Sequence, residues 1–571
     1  MHNLYSLLMY KLKTVPILAL FFMPFVFIAQ TAMAAAPVVP TDAGRELQYS
    51  RELKQPALEN SAPAPLQAPA AKPNSSNANS DVRVKVDTFT FSGNSVMTEA
   101  QLQAMVAPWS GRELNFGELE QVTKHIEQTY RIAGYFLAQA VLPPQQIRNG
   151  SININISEGR IGKIRLEGES RVSAKAMYLR LDKLLKTPTM TEAKLERQIL
   201  LINDLVGGAS SIDLQAGDEN GTTDVVLIEK PSKLFTGRVG LDNDGLPATG
   251  EYRLGLYGAL VSPLHLGDRL AGNFVVSNTG KLHTYGLRYD LPIGGDGWQV
   301  FVAKTRANYT LGGNFTALNA SGTADSWQAG VSYPWLRSRD ANLFLELSAD
   351  YNRLNDNLAA IPLNLDKRSY ALSFSPYGNW RDKWLGGASN EVGLELRTGK
   401  LRLGNDAKAL DLPPAGADTE GNFSKLIINL QRQQFIAKNF TITGQWKQQF
   451  ASTNLDSSEK LTVGGAHVMV GYPVGQAASD EGAIGKLALE WHVANNLDFA
   501  LFAEYAHLDL LKNPIAGNVN NTNLRDVGLS ANWRLLNGID FAGSIAWAGN
   551  DDPIPTDNNT PRIWANLGYN W

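Results

Sequence analysis

The sequence predicts a membrane β-barrel of about 16 antiparallel strands preceded by two small α/β domains. Three observations predict it. Period-2 alternation runs through the last 339 residues, a strand–helix–helix–strand–strand order occurs twice ahead of them, and an apolar leader opens the chain. Composition narrows the class further. The 571 residues exceed a usual single domain, and 52 Lys and Arg against 55 Asp and Glu leave a net charge of -3. Neither a basic nucleic-acid surface nor an acidic disordered chain fits that balance. The absence of cysteine excludes disulfide frameworks, Fe–S clusters, zinc ribbons and thiol nucleophiles. Eleven of the twelve tryptophans lie at or beyond Trp298, so the two ends differ in architecture.

Lys11 and Lys13 precede an apolar run from Val15 to Ala29, and Ala32-Met33-Ala34 offers a small-residue cleavage site. Residues 1–34 are therefore expected to be a secretory signal peptide. Residues 35–80, rich in Pro, Ala, Ser and Asn, read as a linker. Within it Ala43 to Gln55, with Glu46, Leu47, Tyr49 and Leu53, fits either a short plug helix or plain linker, and linker is the favoured expectation.

The first α/β domain is expected over 81–158. Val82, Val84, Val86, Phe89 and Phe91 alternate, and Gly93-Asn94 ends the run. Thr98 with Gln101 forms a capping box ahead of Leu102, Met105, Val106 and Trp109. Asn115 with Glu118 opens a second helix whose inner face is Leu119, Val122, Ile126 and Tyr130, and Gly134 terminates it. Strands are expected at Phe136 to Leu142 and Ser151 to Ser157. The second domain, 159–232, repeats the order: Ile164 to Leu166, helices at Ala174 to Leu185 and Ala193 to Val206, then Ser211 to Gln215 and Asp224 to Glu229. Each small sheet keeps edges that could pair with an extended chain.

From 233 to 571 helical spacing vanishes. Tyr252, Leu254, Leu256 and Leu260 share one face, and Arg253, Gly255 and Tyr257 the other. The last strand places Ile563, Ala565, Leu567, Tyr569 and Trp571 on one face. Segments of about 10 residues, apolar outward and polar inward, divided by Asn, Gly and Asp turns, are the pattern of an outer-membrane barrel. At about 21 residues per strand and connection, the segment holds about 16 strands. The chain ends on the aromatic Trp571 directly after a strand, as expected where the terminal strand pairs to leave no free edge.

Three motifs then carry a resemblance to the TpsB transporters of two-partner secretion, the haemolysin and filamentous-adhesin secretion family of the BamA-related superfamily. Tyr130-Arg131-Ile132-Ala133-Gly134-Tyr135, followed by Ala138 to Leu142 and Pro143-Pro144-Gln145-Gln146-Ile147, resembles the end of that family's first POTRA domain. Ile156-Ser157-Glu158-Gly159-Arg160-Ile161 is similar to the junction between POTRA domains. The run from Gly464 to Gly482, with Gly464, Gly465, Val470, Gly471, Tyr472, Pro473, Gly475, Asp480, Glu481 and Gly482 at motif positions, resembles the long outer loop that folds back into the pore. The family arginine is Val470 here, its glutamate is Gln476 and one glycine is Ser479. In relatives that arginine pairs with an acid on the inner wall, and the local match, Phe502-Ala503-Glu504-Tyr505-Ala506, offers Glu504. The resemblance thus implies that Glu504 faces the loop without its usual partner, leaving the loop loosely held.

It also implies a function. An outer-membrane translocator with POTRA domains in the periplasm would capture an unfolded exoprotein by its amino-terminal secretion domain and export it through the barrel. Trp571 would be read by the barrel-assembly machinery, and lipid would surround the barrel. A BamA-like insertase and a passive porin are the alternatives. Two α/β repeats are few for the first, and the second leaves them idle. No catalytic, cofactor or metal site is expected: the seven histidines are scattered, and neither H-E-x-x-H nor G-x-S-x-G occurs. The cargo class, whether adhesin, cytolysin, contact-dependent toxin or haem-scavenging protein, is not written in the sequence.

Overall fold

The computed structural model describes residues 41–52, 82–219, 221–549 and 561–571. The expected signal peptide and the proline-rich linker apart from 41–52 lie outside these residues.

Two small mixed sheets come first. In the first unit Thr88–Ser92 pairs in parallel with Ser151–Ser157, and Gln139–Val141 adds to the latter antiparallel. A parallel pair needs a crossover, and helices Glu99–Val106 and Phe116–Ile132 supply it. Thr98 and Asn115 cap those helices in reciprocal boxes with Gln101 and Glu118. The helices bury Leu102, Val106, Leu119, Val122, Ile126 and Tyr130 against Phe89, Ile152 and Ile154. The second unit repeats the plan. Arg160–Gly168 and Thr222–Lys230 are parallel, Ala209–Ala216 is antiparallel, and helices Ala174–Leu185 and Glu192–Asn203 are N-capped by Ser173 and Thr191.

One strand is shorter than its sequence suggests. Of Phe136 to Leu142 only Gln139–Val141 is strand, because the chain turns where the Ala138 amide donates to the Tyr135 carbonyl. Phe136 and Leu137 leave their own sheet and bury in the core of the second unit, beside Ile161 and Met177. Gly159 makes room for this: its φ is +76°, and a Cβ there would lie 2.5 Å from the Leu137 Cβ.

A closed antiparallel barrel follows, with strands in chain order from Phe235–Asp242 round to Arg562–Asn570, which pairs back onto the first. Closure leaves no edge in the membrane, where an unpaired backbone group would cost several kcal/mol. Leu256, Leu287, Trp327, Leu347, Leu396, Leu487, Leu501 and Leu529 stay exposed on the outer face, a lipid-facing band, while the alternate residues turn into the lumen. The second α/β unit docks on the barrel rim. Arg337 makes a two-pronged pair with Asp204 at 2.9 and 2.7 Å, Arg197 donates to the Pro334 carbonyl, and the Ser173 amide donates to His265.

The favoured linker assignment fails at Ala43–Glu52, which is a helix lodged inside the barrel. Ala43 and Leu47 are fully buried among Leu282, Ala307, Tyr309, Ala324 and Leu354 of the wall. The Ala43 amide donates to Asp356, and Arg51 reaches Ser326, Asn352 and Asp350. The helix has little apolar signature because only Ala43 and Leu47 meet that apolar patch, while its polar groups meet Ser326, Asp350, Asn352 and Asp356 of the same wall.

Candidate functional site

The lumen holds two insertions: the helix Ala43–Glu52 on one side and the loop between strands Phe440–Ala451 and Glu481–Ala494 on the other. Inside the loop, Leu461–Val463 and Ala477–Ser479 form a small antiparallel hairpin. Its tip doubles back tightly. The amides of Gly464 and Gly465 donate to the Val468 and Tyr472 carbonyls, at 3.0 and 3.1 Å. Gly464 has φ +101° and would place a Cβ 2.0 Å from the Pro473 oxygen, so only glycine fits. Pro473 also accepts the Gln476 amide, and Gly475 turns the chain with φ +70°.

The wall grips the tip by its main chain. Glu504 accepts the Val470 amide at 2.8 Å, and Asp526, its cross-strand neighbour, accepts the Gly471 amide at 2.8 Å. Gly471 comes close enough that a Cβ would lie 2.8 Å from the Asp526 Cβ. The Trp564 indole donates to the Val470 carbonyl at 2.8 Å, and the Tyr472 hydroxyl donates to the Arg525 carbonyl. Val470 itself sits in an apolar nook with Val474, Phe502, Ala546 and Trp564.

This corrects the expectation that Glu504 lacks a partner. Lys486, directly opposite on the next strand, pairs with its other oxygen at 3.1 Å. The cation comes from the wall rather than from the loop, and position 470 is free to be apolar. Lys486 carries no sequence signal for this role, because strand register alone brings it beside Glu504.

The base of the loop is tied by charge. Asp480 accepts from Lys460 at 2.6 Å and from the Leu455 and Lys512 amides. Glu481 pairs with Lys512, accepts the Ala451 amide and begins the next wall strand, with Gly482 second in it. Farther in, Arg397 makes a two-pronged bond to the loop's Glu459 at 2.9 and 3.0 Å and reaches Asp350 at 2.7 Å. Asp350 also holds Arg51 of the luminal helix. One wall carboxylate therefore touches the helix directly and the loop through Arg397. Removing one member of so buried a set costs several kcal/mol.

Below the barrel, the remaining motif residues cluster at the end of helix Phe116–Ile132. Gly134 terminates it with φ +90°, and the Tyr135 ring meets Tyr130 edge-on at 6.2 Å and 77°. Pro143 is half-buried just after strand Gln139–Val141. Glu158 accepts the amides of Ser95 and Val96 at 2.6 and 2.7 Å, the Ser95 hydroxyl, and the Tyr130 hydroxyl at 3.1 Å. Burial would raise its pKa, but the bonds from Ser95, Val96 and Tyr130 outweigh it and hold the carboxyl below the usual range.

Because the native pKa is depressed, this stabilisation is present above the ordinary carboxylate pKa of about 4.3 and is lost as pH falls through the native value. Glu158→Gln is expected to destabilise a fragment spanning 81–232 by about 2 kcal/mol at pH 7. Thermal melts should show the gap to the parent closing in acid. An equal gap at every pH would refute the assignment.

At the barrel seam Trp571 donates its amide to Gly237 at 3.1 Å and lies against Phe235. Among the described residues no group of His, Asp and Glu is placed to hold a metal ion.

Comparison with known proteins agrees with this geometry. Residues 221–522 match the family described as haemolysin secretion/activation protein ShlB/FhaC/HecB, and residues 84–159 match the ShlB-type POTRA domain. The heme/hemopexin transporter protein HuxB of Haemophilus influenzae (strain 86-028NP) is 26% identical over 484 residues, 83% of this chain and 84% of that protein. The outer membrane transporter CdiB of Escherichia coli is 24% identical over 504 residues, 82% of this chain and 80% of that one. The solved structure of CdiB from Escherichia coli superposes with a TM-score of 0.71 at 18% identity, over 94% of this chain and 100% of that chain.

Proposed function

This chain belongs to the haemolysin secretion/activation family ShlB/FhaC/HecB and is a two-partner-secretion transporter of the outer membrane, and from that premise we propose how it takes its cargo. An unfolded exoprotein docks by its amino-terminal secretion domain on the α/β units, adding a strand to an open sheet edge, and passes from there into the lumen. The chain divides for this purpose at 158/159 and 232/233. Folding of the cargo outside supplies the drive, because collapsed chain cannot slide back.

The supporting observation is the strand Ala209–Ala216, the outer member of its sheet, whose far side is unpaired among the described residues. The alternate residues of this eight-residue strand turn main-chain donors and acceptors outward, of which the Ser210 amide alone is taken, by Asn203, among the described residues. The Arg337–Asp204 anchor holds that unit at the barrel mouth. The luminal helix and the loop act as plugs that must shift for passage, and lipid contacts the outer apolar band.

A soluble fragment of residues 81–230 is expected to bind the denatured amino-terminal domain of the exoprotein in a titration, and to bind it less once folded. Full-length protein that binds while the fragment does not would overturn this reading.

A further inference from the structure

We propose that the inner wall carries a track for the main chain of an extended polypeptide, a row of amide and carboxylate side chains interrupted by one lysine, which begins at the loop clamp and continues, unoccupied by protein, along an open cavity. This inference rests on the transporter reading and specifies what the lumen recognises. Strand registers place Asn379, Glu391, Gln431, Gln445, Lys486 and Glu504 in one row across six neighbouring strands, and Asp526 extends it. Cross-strand neighbours lie about 4.8 Å apart, so the row is continuous.

Its filled end shows what it binds. Glu504 and Asp526 accept two successive main-chain amides, those of Val470 and Gly471, and neither bond involves a loop side chain. The rest of the row faces a cavity of about 520 Å³. There Gln445 donates to the Gln431 carbonyl at 2.8 Å, and the Gln431 amino group and the Gln445 carbonyl make no other protein hydrogen bond among the described residues. A donor next to an acceptor matches the N–H and C=O of a peptide unit. Asn429, one register along, and Glu391 make no protein hydrogen bond or ion pair among the described residues and also line the space. Phe344 and Tyr377 stack at 5.2 Å and 12° on its border, an apolar step for passing side chains.

The spacing argues for passage rather than storage. An extended chain repeats a given face about every 6.6 Å, against about 4.8 Å per step of the row. Only a few contacts can be made at once, so no register is a deep trap, as conduction requires. Charges of both signs, Glu391 and Lys447 among them, line the cavity, so the wall does not select an ion of one sign.

The test uses full-length protein in planar bilayers, with blockade measured during open intervals. The probes are an uncharged 24-residue Gly/Ser peptide, a polyethylene glycol of equal hydrodynamic size, and a maltodextrin. The variant Asn429→Leu with Gln431→Leu and Gln445→Leu is expected to shorten peptide dwell time about tenfold and leave the polyethylene glycol dwell unchanged. Should that variant fail to give a heat-modifiable folded barrel, Gln431→Met with Gln445→Met keeps side-chain length but loses both donor and acceptor, and should shorten dwell as well. Unchanged peptide dwell, an equal change for the polyethylene glycol, or maltodextrin held as long as the peptide by the parent would each overturn the track. Export of a co-expressed exoprotein by the parent is scored separately: export with no effect on dwell rejects the track alone, and no export rejects the transporter reading itself.

Discussion

Glu504→Ala combined with Asp526→Ala is expected to raise the frequency of spontaneous channel openings at least about tenfold, with the barrel still folded. Hydrogen bonds to charged groups contribute about 1.5–3 kcal/mol each, and these two carboxylates hold consecutive amides of the loop tip. Losing both shifts the balance between seated and released loop by more than a factor of ten. The isosteric pair, Glu504→Gln with Asp526→Asn, keeps a carbonyl acceptor at each site and should have a clearly smaller effect. Single-channel recording of the two double variants, with heat-modifiable migration as the check on folding, measures this. Equal opening frequency in the alanine variant and the parent would mean that the tip is held by its apolar nook and by Trp564 rather than by the carboxylates.

The same geometry reverses what a family comparison alone suggests for position 470. With Glu504 already bonded to Lys486, an arginine there finds no free carboxylate and must enter the nook of Val474, Phe502, Ala546 and Trp564. Val470→Arg is therefore expected to loosen the tip. The wall lysine stands in for the loop arginine, and the loop's backbone supplies the rest of the contact.

Much of the fold was legible in the chain because it depends on local rules. Thr98 with Gln101 and Asn115 with Glu118 announce helix starts, and strict alternation around Leu254–Leu260 and Ile563–Tyr569 announces a sheet with one lipid-facing side. Features set by distant surfaces were not legible. Ala43–Glu52 is too short and too polar to stand out as a buried helix, since its complement is the polar wall around Asp350 and Asp356. Phe136 and Leu137 open a strand-like run, but the neighbouring unit's core takes both of them. Lys486 and the row from Asn379 to Glu504 depend on register across several hairpins, which no single segment encodes. In the candidate site, then, sequence pointed to the loop and to Glu504, while the manner of their contact came only from the folded wall.

Deleting Asn570 and Trp571 is expected to lower the amount of folded protein in the outer membrane about tenfold, through failed assembly of the barrel rather than loss of transport. The closing seam is short: five register pairs join Asn566–Asn570 to Arg238–Asp242, where the strands Ala341–Leu358 and Leu363–Asp382 share eighteen. Trp571 lengthens it by exchanging backbone bonds with Gly237 and lays its ring where a Gly237 Cβ would be, 2.2 Å from the nearest ring atom. Phe235 and Tyr569 flank that ring at 6.0 Å each. Gly237→Val separates two reasons for needing this end. It evicts the ring but leaves the terminal sequence itself intact. If recognition of the aromatic end dominates, Gly237→Val reaches near-parental abundance and loses only resistance to heat in detergent, whereas the deletion is depleted; this is the expected result. Equal depletion of both would place the requirement in ring packing at the seam. Normal abundance of the deletion, with secretion lost, would show that the terminal strand serves transport and that closure does not depend on Trp571.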